Sequence, residues 1–86
     1  MAGYHLNPIP RGKIGDLSKL LEECHEALDA EKQGVKIMTL LELADLYGAL
    51  QLVLEKQFPG FTMEDLQKMS HATRRAFESG HRISND

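Results

Sequence analysis

The stretch that decides the fold is LLELADLYGALQLVL, residues 40–54. Only three clearly polar side chains interrupt it: Glu42, Asp45 and Gln51. As a helix this stretch is apolar on nearly every side, and such a helix is buried over most of its surface. Thr39, with Glu42 three residues later, fits an N-cap, although the helix can also begin earlier, near Val35. The stretch therefore predicts a central core helix, helix 2, in an all-α fold.

A second helix is predicted before it. From Asp16 onward, apolar residues recur at the spacing of one helical stripe: Leu17, Leu20, Leu21, Cys24, Ala27 and Leu28. This pattern predicts helix 1, which ends before Gly34. Cys24 lies on the stripe and is expected to be a small core residue.

A third helix follows the break at residues 58–60, Phe-Pro-Gly. Thr62 and Asp65 have the spacing of a capping box, and an apolar stripe runs over residues 66–77. Gly80 is the stop signal. Helix 3 is therefore predicted to run from about Thr62 to Gly80.

The domain organisation follows from these elements. Residues 1–13 contain two prolines and two glycines and should form an extended arm, residues 14–82 form one helical domain, and residues 83–86 are a tail. A chain of 86 residues has a modest core. Two short helices can hardly cover helix 2 completely. We therefore expect a small bundle of three helices per chain that is completed by homo-oligomerisation, as a homodimer or homotetramer.

Five carboxylates fall in two short clusters inside these apolar stretches: Glu22, Glu23, Glu26, Glu42 and Asp45. Side chains three or four positions apart share a helix face, so Glu23 pairs with Glu26, and Glu42 with Asp45. If helices 1 and 2 pack together, these four carboxylates converge. Such a cluster must take up protons or a cation, and hard oxygen ligands suit Mg²⁺, with Mn²⁺ as the alternative. At about 100° per residue, Glu22 lies furthest from the apolar stripe.

The order of the two motifs, E-E-x-x-E and then E-x-x-D, resembles the MazG-like all-α NTP pyrophosphohydrolases. The segment Leu-Ala-Asp-Leu-Tyr after Glu42 adds to the resemblance, which runs from about Ile14 to Arg82. It implies Mg²⁺-dependent cleavage of a nucleoside or deoxynucleoside triphosphate to the monophosphate and pyrophosphate. The metal ligands that it implies are Glu23, Glu26, Glu42 and Asp45. It places Glu22 beside the attacking water, as the catalytic residue.

Two other functions stay open. Within the same superfamily, phosphoribosyl-ATP pyrophosphatase has a similar acidic helix and a segment similar to residues 42–47. A different class is a non-catalytic helical module for dimerisation or regulation, in which the acids only solvate the bundle.

Helix 3 carries the basic residues that a triphosphate would need. The candidates for phosphate binding are Lys68, Arg75 and Arg82, because cations hold phosphate oxygens that a metal does not neutralise. Many members of the superfamily also have an asparagine on this helix, and residues 68–75 contain none. The histidines, including His5, are expected to be exposed.

Composition excludes several classes of function. The formal net charge of -3 and the pI near 5.8 give no general attraction to nucleic acid polymers. The single cysteine cannot form an internal disulfide, and no signal peptide is visible, so a cytoplasmic location is expected. Residues 40–54 are shorter than the ~20 residues of a membrane span and contain two acids, so we expect no membrane insertion.

Overall fold

The computed structural model describes residues 5–79 and contains three α-helices in that range. They are α1 (Leu17–Gln33), α2 (Lys36–Gln57) and α3 (Met63–Ser79). No strand occurs within residues 5–79. The expected all-α class with three main helices is confirmed.

α1 and α2 form an antiparallel helical hairpin. α1 ends at Gly34, whose φ of 76° is a left-handed conformation that glycine adopts without strain. At the other end, the Lys56 Nζ lies 2.7 Å from Asp16 Oδ1, and Gln57 donates to the Gly15 carbonyl at 3.0 Å. These contacts fix the start of α1 against the end of α2.

α2 begins at Lys36, so the earlier of the two expected starts is correct. Thr39 lies within the first turn, where its Oγ1 donates to the Val35 carbonyl at 3.2 Å. Glu42 is therefore not part of a capping box. Its side chain is available to the interior of the hairpin.

The apolar core between α1 and α2 is small. Its buried apolar side chains are Ala30, Ala49, Val53 and Leu54. Glu42, with 1 % of its surface exposed, is the largest fully buried side chain in the described part of the chain. A carboxylate thus lies where most cores place a large apolar side chain, and a buried carboxylate needs a compensating partner or a proton.

α1 turns its acidic side, rather than its apolar stripe, toward α2 and the arm. The buried residues of α1 are Glu22, Glu23, Asp29 and Ala30. Four positions of the apolar stripe are exposed: Leu17, Leu21, Cys24 and Leu28. The expectation that Cys24 is a core residue is wrong for the single chain, because Ala30 and its neighbours make the contact with α2 and leave the stripe on the opposite side.

α2 also keeps an uncovered apolar surface. Its exposed large apolar side chains are Ile37, Leu40, Leu41, Leu43, Tyr47 and Leu52. Among residues 5–79, α1 covers one side of α2, and the other sides of α2 face outward. Completion of the bundle by a second copy stays a prediction.

α3 follows the turn at Phe58-Pro59-Gly60, in which Gly60 has a φ of 88°. The predicted capping box is formed, since the Asp65 N–H donates to Thr62 Oγ1 at 3.1 Å and the Thr62 N–H donates to Asp65 Oδ2 at 3.0 Å. None of the residues from Met63 to Ser79 is buried. The amphipathic helix α3 therefore has an apolar face that the hairpin does not cover.

The arm, residues 5–13, runs back along α1 without helix or strand. Its backbone donates to three side chains of α1 in antiparallel order: Lys13 to Ser18, Gly12 to Glu22, and Leu6 to Asp29. A Cβ on Gly12 would overlap the backbone carbonyl of Ser18, so this close approach requires glycine. The arm thereby covers the acidic side of α1.

The full length of α2 changes one part of the membrane argument. With 22 residues it is, by length and composition alone, long and apolar enough to cross a bilayer. The expectation from residues 40–54 counted only part of this helix. Core helices pass the same test, so the absence of membrane insertion stays a prediction that rests on the two acids.

Candidate metal centre

α1 and α2 bring the five predicted carboxylates together. Glu23 has a carboxylate oxygen within 4.8 Å of oxygens of Glu42 and Asp45, and a second group of the same kind joins Glu23 to Glu22 and Glu26. Glu23 is shared by both groups, so the five form one continuous acidic cluster. We use that name below for Glu22, Glu23, Glu26, Glu42 and Asp45.

The acidic cluster has a buried floor and an open rim. Glu42, Glu23 and Glu22 are 1 %, 6 % and 7 % exposed, whereas Glu26 is half-buried and Asp45 is exposed. Helical periodicity placed Glu22 furthest from the core, but the structure buries it. The reason is the arm, which covers the side of α1 that α2 does not reach.

Protons are held unusually tightly in part of this cluster. Burial, followed by the negative charge of Glu23, raises the pKa of Glu26 above its ordinary value. Burial, followed by the charge of Asp45, raises the pKa of Glu42. Both carboxyl groups therefore resist ionisation unless positive charge is supplied.

Glu22 behaves in the opposite way. Its Oε1 accepts the Gly12 N–H at 2.8 Å and the Lys19 ammonium at 3.1 Å. The Gly12 hydrogen bond, more than the lysine, lowers the pKa of Glu22 despite its burial. The pKa of Glu22 is thus lowered in the same cluster in which the pKa values of Glu26 and Glu42 are raised.

Glu23 provides a test of whether a cation fits. Its Oε2 lies 3.3 Å from Lys19 Nζ, but its Oε1 is buried and has no hydrogen-bond partner among residues 5–79. A buried oxygen without a partner is disfavoured in folded proteins. The donor set around it consists of hard carboxylate oxygens, which fits Mg²⁺ or Mn²⁺.

The acidic cluster opens into a groove between the arm, α1 and α2. The groove has a volume of about 580 Å³, within the range of small-molecule sites, and four cluster residues line it: Glu22, Glu23, Glu26 and Asp45. Two cations, Arg11 and Lys19, lie on its wall. The groove therefore combines an anionic floor with positive charge at its side.

The structure does not bring two of the predicted phosphate-binding residues, Lys68 and Arg75, to this groove in one chain. Lys68 and Arg75 are exposed on α3, and no residue of α3 lines the groove. Arg82 lies outside the described residues. Phosphate binding by these residues stays a prediction.

Sequence reasoning missed three groups at the site: His5, Arg11 and Lys19. The expectation that His5 is exposed is wrong, because 93 % of its side chain is buried between Asp29 and Glu26. Lys19 had a readable signal, since it precedes Glu22 and Glu23 by three and four residues. His5 and Arg11 reach the site through the fold of the arm, which has no periodicity to read.

Comparisons with protein-family models, curated proteins and solved structures gave no match for this chain. Membership of the MazG-like superfamily thus stays a prediction from the two acidic motifs.

Proposed function

We propose that this protein is a Mg²⁺-dependent nucleotide pyrophosphohydrolase that cleaves a nucleoside or deoxynucleoside triphosphate to the monophosphate and pyrophosphate. The observation that carries the proposal is the convergence of five carboxylates from two helices in one cluster, four of which line one groove. A buried Glu23 oxygen without a hydrogen-bond partner among residues 5–79 supports it. The two acidic motifs, which resemble those of the MazG-like enzymes, direct the proposal to this reaction.

Each group has a role in this proposal. When bound, Mg²⁺ would neutralise phosphate oxygens and stabilise the charge that develops on them. The proposed ligands are Glu23, Glu26, Glu42 and Asp45.

Glu22 is suited to accept a hydrogen bond from the attacking water, because its lowered pKa keeps it ionised. Both hydrogen bonds that it accepts from the described residues end on Oε1, which leaves Oε2 for this water. Oε2 would thus be the oxygen that orients the nucleophile.

Arg11 and Lys19 are the cations best placed to hold phosphate. Both line the groove, and a guanidinium or ammonium binds phosphate oxygens by charge-assisted hydrogen bonds. Lys68, Arg75 and Arg82 join them in this proposal only if α3 of a second copy reaches the groove. Such a copy would also cover the exposed apolar faces of α1, α2 and α3.

The test is a panel of common and modified NTPs, dNTPs and phosphoribosyl-ATP with Mg²⁺ or Mn²⁺, read by product identity. Monophosphate and pyrophosphate are the expected products, and preferential cleavage of phosphoribosyl-ATP would select phosphoribosyl-ATP pyrophosphatase. Asp45→Asn should abolish turnover with little effect on folding, because Asp45 is exposed. Glu55→Gln, at another exposed position of α2, is the matched control.

A non-catalytic dimerisation module is the second candidate, and the exposed apolar side chains of α1 and α2 favour it. It predicts stable self-association in sedimentation experiments, no pyrophosphate release at high protein concentration, and no effect of Mg²⁺ on thermal stability. That combination of results would contradict the enzyme proposal.

A further inference from the structure

His5 is placed by the arm at the inner edge of the acidic cluster. Its side chain is 7 % exposed, and its Nε2 lies 4.0 Å from Glu26 Oε2. His5, Glu26 and Glu42 each offer one ligand atom, and these three atoms lie within 4.8 Å of one another. The group is distinct in chemistry from the rest of the cluster because it includes a nitrogen.

Asp29 fixes the orientation and the tautomer of the imidazole ring. His5 Nδ1 lies 2.7 Å from Asp29 Oδ2, and an ionised carboxylate only accepts hydrogen bonds, so Nδ1 carries the proton. A metal-binding imidazole with its proton on Nδ1 offers the lone pair of Nε2, and Nε2 is the nitrogen on the side of Glu26.

Asp29 is itself held in place by the arm. Its Oδ2 accepts the Leu6 N–H at 3.0 Å. Gln33 also donates to it, at 3.3 Å. A histidine that donates one ring N–H to a fixed carboxylate is the usual arrangement of a metal-ligating histidine.

The buried Glu23 Oε1, without a hydrogen-bond partner among the described residues, is a separate sign that this cluster receives a ligand. From these observations we infer that His5 is a nitrogen ligand of a divalent cation shared with Glu26 and Glu42, and that it shifts the preference of the site from Mg²⁺ toward Mn²⁺. Imidazole suits first-row transition metals, whereas Mg²⁺ prefers oxygen. The inference rests on the metal site of the proposed function, but not on the hydrolysis.

To bind one ion, the three ligand atoms of His5, Glu26 and Glu42 would need to move only slightly closer together. Ligand atoms about 2.1 Å from an octahedral ion lie about 3 Å apart when adjacent and about 4.2 Å apart when opposite. The three atoms of this group, within 4.8 Å of one another, would move closer by side-chain rotation.

The test uses the full chain loaded with Mn²⁺ and no nucleotide. Pulsed electron paramagnetic resonance should detect a nitrogen nucleus coupled to Mn²⁺, and the coupling should change to that of ¹⁵N in protein labelled at histidine. His5→Gln should abolish the coupling and lower the Mn²⁺-over-Mg²⁺ affinity ratio about tenfold or more. His71→Gln, at an exposed position of α3, is the matched control and should keep both.

The outcomes separate the two proposals. Bound Mn²⁺ without nitrogen coupling in the wild-type chain would overturn the role of His5 and leave the carboxylate site intact. Failure to bind Mn²⁺ at millimolar concentration would overturn both. Because the labelled wild-type chain gives the signal, the test does not depend on the folding of His5→Gln.

Discussion

Glu42→Gln is the substitution that most directly tests the reasoning on the acidic cluster. It removes the charge of the largest fully buried side chain and keeps nearly the same volume. We expect the variant to be more stable than the wild-type chain without metal at neutral pH, and to lose the stabilisation by Mg²⁺ or Mn²⁺. The first effect follows from burial next to Asp45, and the second from loss of a ligand.

The pH dependence fixes the sign of the first effect. The pKa of Glu42 is raised in the folded state, so above the ordinary pKa of about 4.3 the unfolded chain loses its proton first. The folded state then binds more protons, and the free energy of unfolding falls with pH by up to about 1.4 kcal/mol per pH unit for this group. The loss is complete above the folded-state pKa and absent below about pH 4.

Metal linkage gives the size of the second effect. At a free metal concentration of 100 Kd, binding to the folded state adds about 2.7 kcal/mol. For a domain of this length, 1 kcal/mol corresponds to a change of about 4–8 °C in Tm. Saturating metal should therefore raise the Tm of the wild-type chain by about 10–20 °C, and that of Glu42→Gln by much less.

The assay is urea unfolding from pH 4.5 to 8, with and without metal, for the wild-type chain, Glu42→Gln and the exposed control Glu55→Gln. The difference between wild type and Glu42→Gln isolates Glu42, because the other titrating groups are common to both chains. Among these, Glu22 and Asp29 have lowered pKa values and contribute with the opposite sign, whereas Glu26 contributes with the same sign. The reasoning is refuted if the wild-type chain and Glu42→Gln have equal free energies of unfolding at both pH 4.5 and pH 8. It is also refuted if metal stabilises Glu42→Gln as much as it stabilises the wild-type chain.

Three further substitutions test the arm, the groove wall and α3. Gly12→Ala should displace the arm from Ser18 and Glu22 and destabilise the chain by about 1–3 kcal/mol. Trypsin should then cleave faster after Arg11, and an unchanged cleavage rate would show that the arm accommodates the added Cβ easily. Gly48→Ala should raise the free energy of unfolding, measured by urea unfolding, by about 0.5–1 kcal/mol, because nothing lies within 4 Å of the added Cβ. A free energy of unfolding below that of the wild-type chain would contradict this. Thr62→Ala should remove about 1 kcal/mol of capping and reduce amide-exchange protection in α3 alone, since α3 has no buried residue; equal loss in α1 would show that the helices unfold together.

Sequence reasoning could predict the three helices and the place of Glu42 between α1 and α2. Periodicity, the glycine after α1 and the Thr62 capping box are local signals, and they gave the three helices with small errors at their ends. Glu42 and Asp45 interrupt an apolar helix, and pairing with the helix before it is the simplest way to place them. The structure brings both close to Glu23, as that argument expected.

Sequence reasoning could not predict which side of α1 is buried, because that depends on contacts between residues distant in sequence. α1 has an apolar stripe and an acidic side, and periodicity alone selects the stripe as the buried one. The hairpin instead buries the side with Ala30, and the arm adds hydrogen bonds to Glu22 and Asp29. Burial of Glu22 and His5 therefore follows from the return path of the arm, which Gly12 permits.

The location of the groove within the chain has a consequence for how the protein is made. The described residues that line the groove lie between His5 and Leu52, and α3 begins only at Met63. Synthesis releases the N-terminal part first, and contacts close in sequence form rapidly. We therefore expect the cation site to assemble before α3 packs, so that metal supply during folding bears on how much folded protein accumulates.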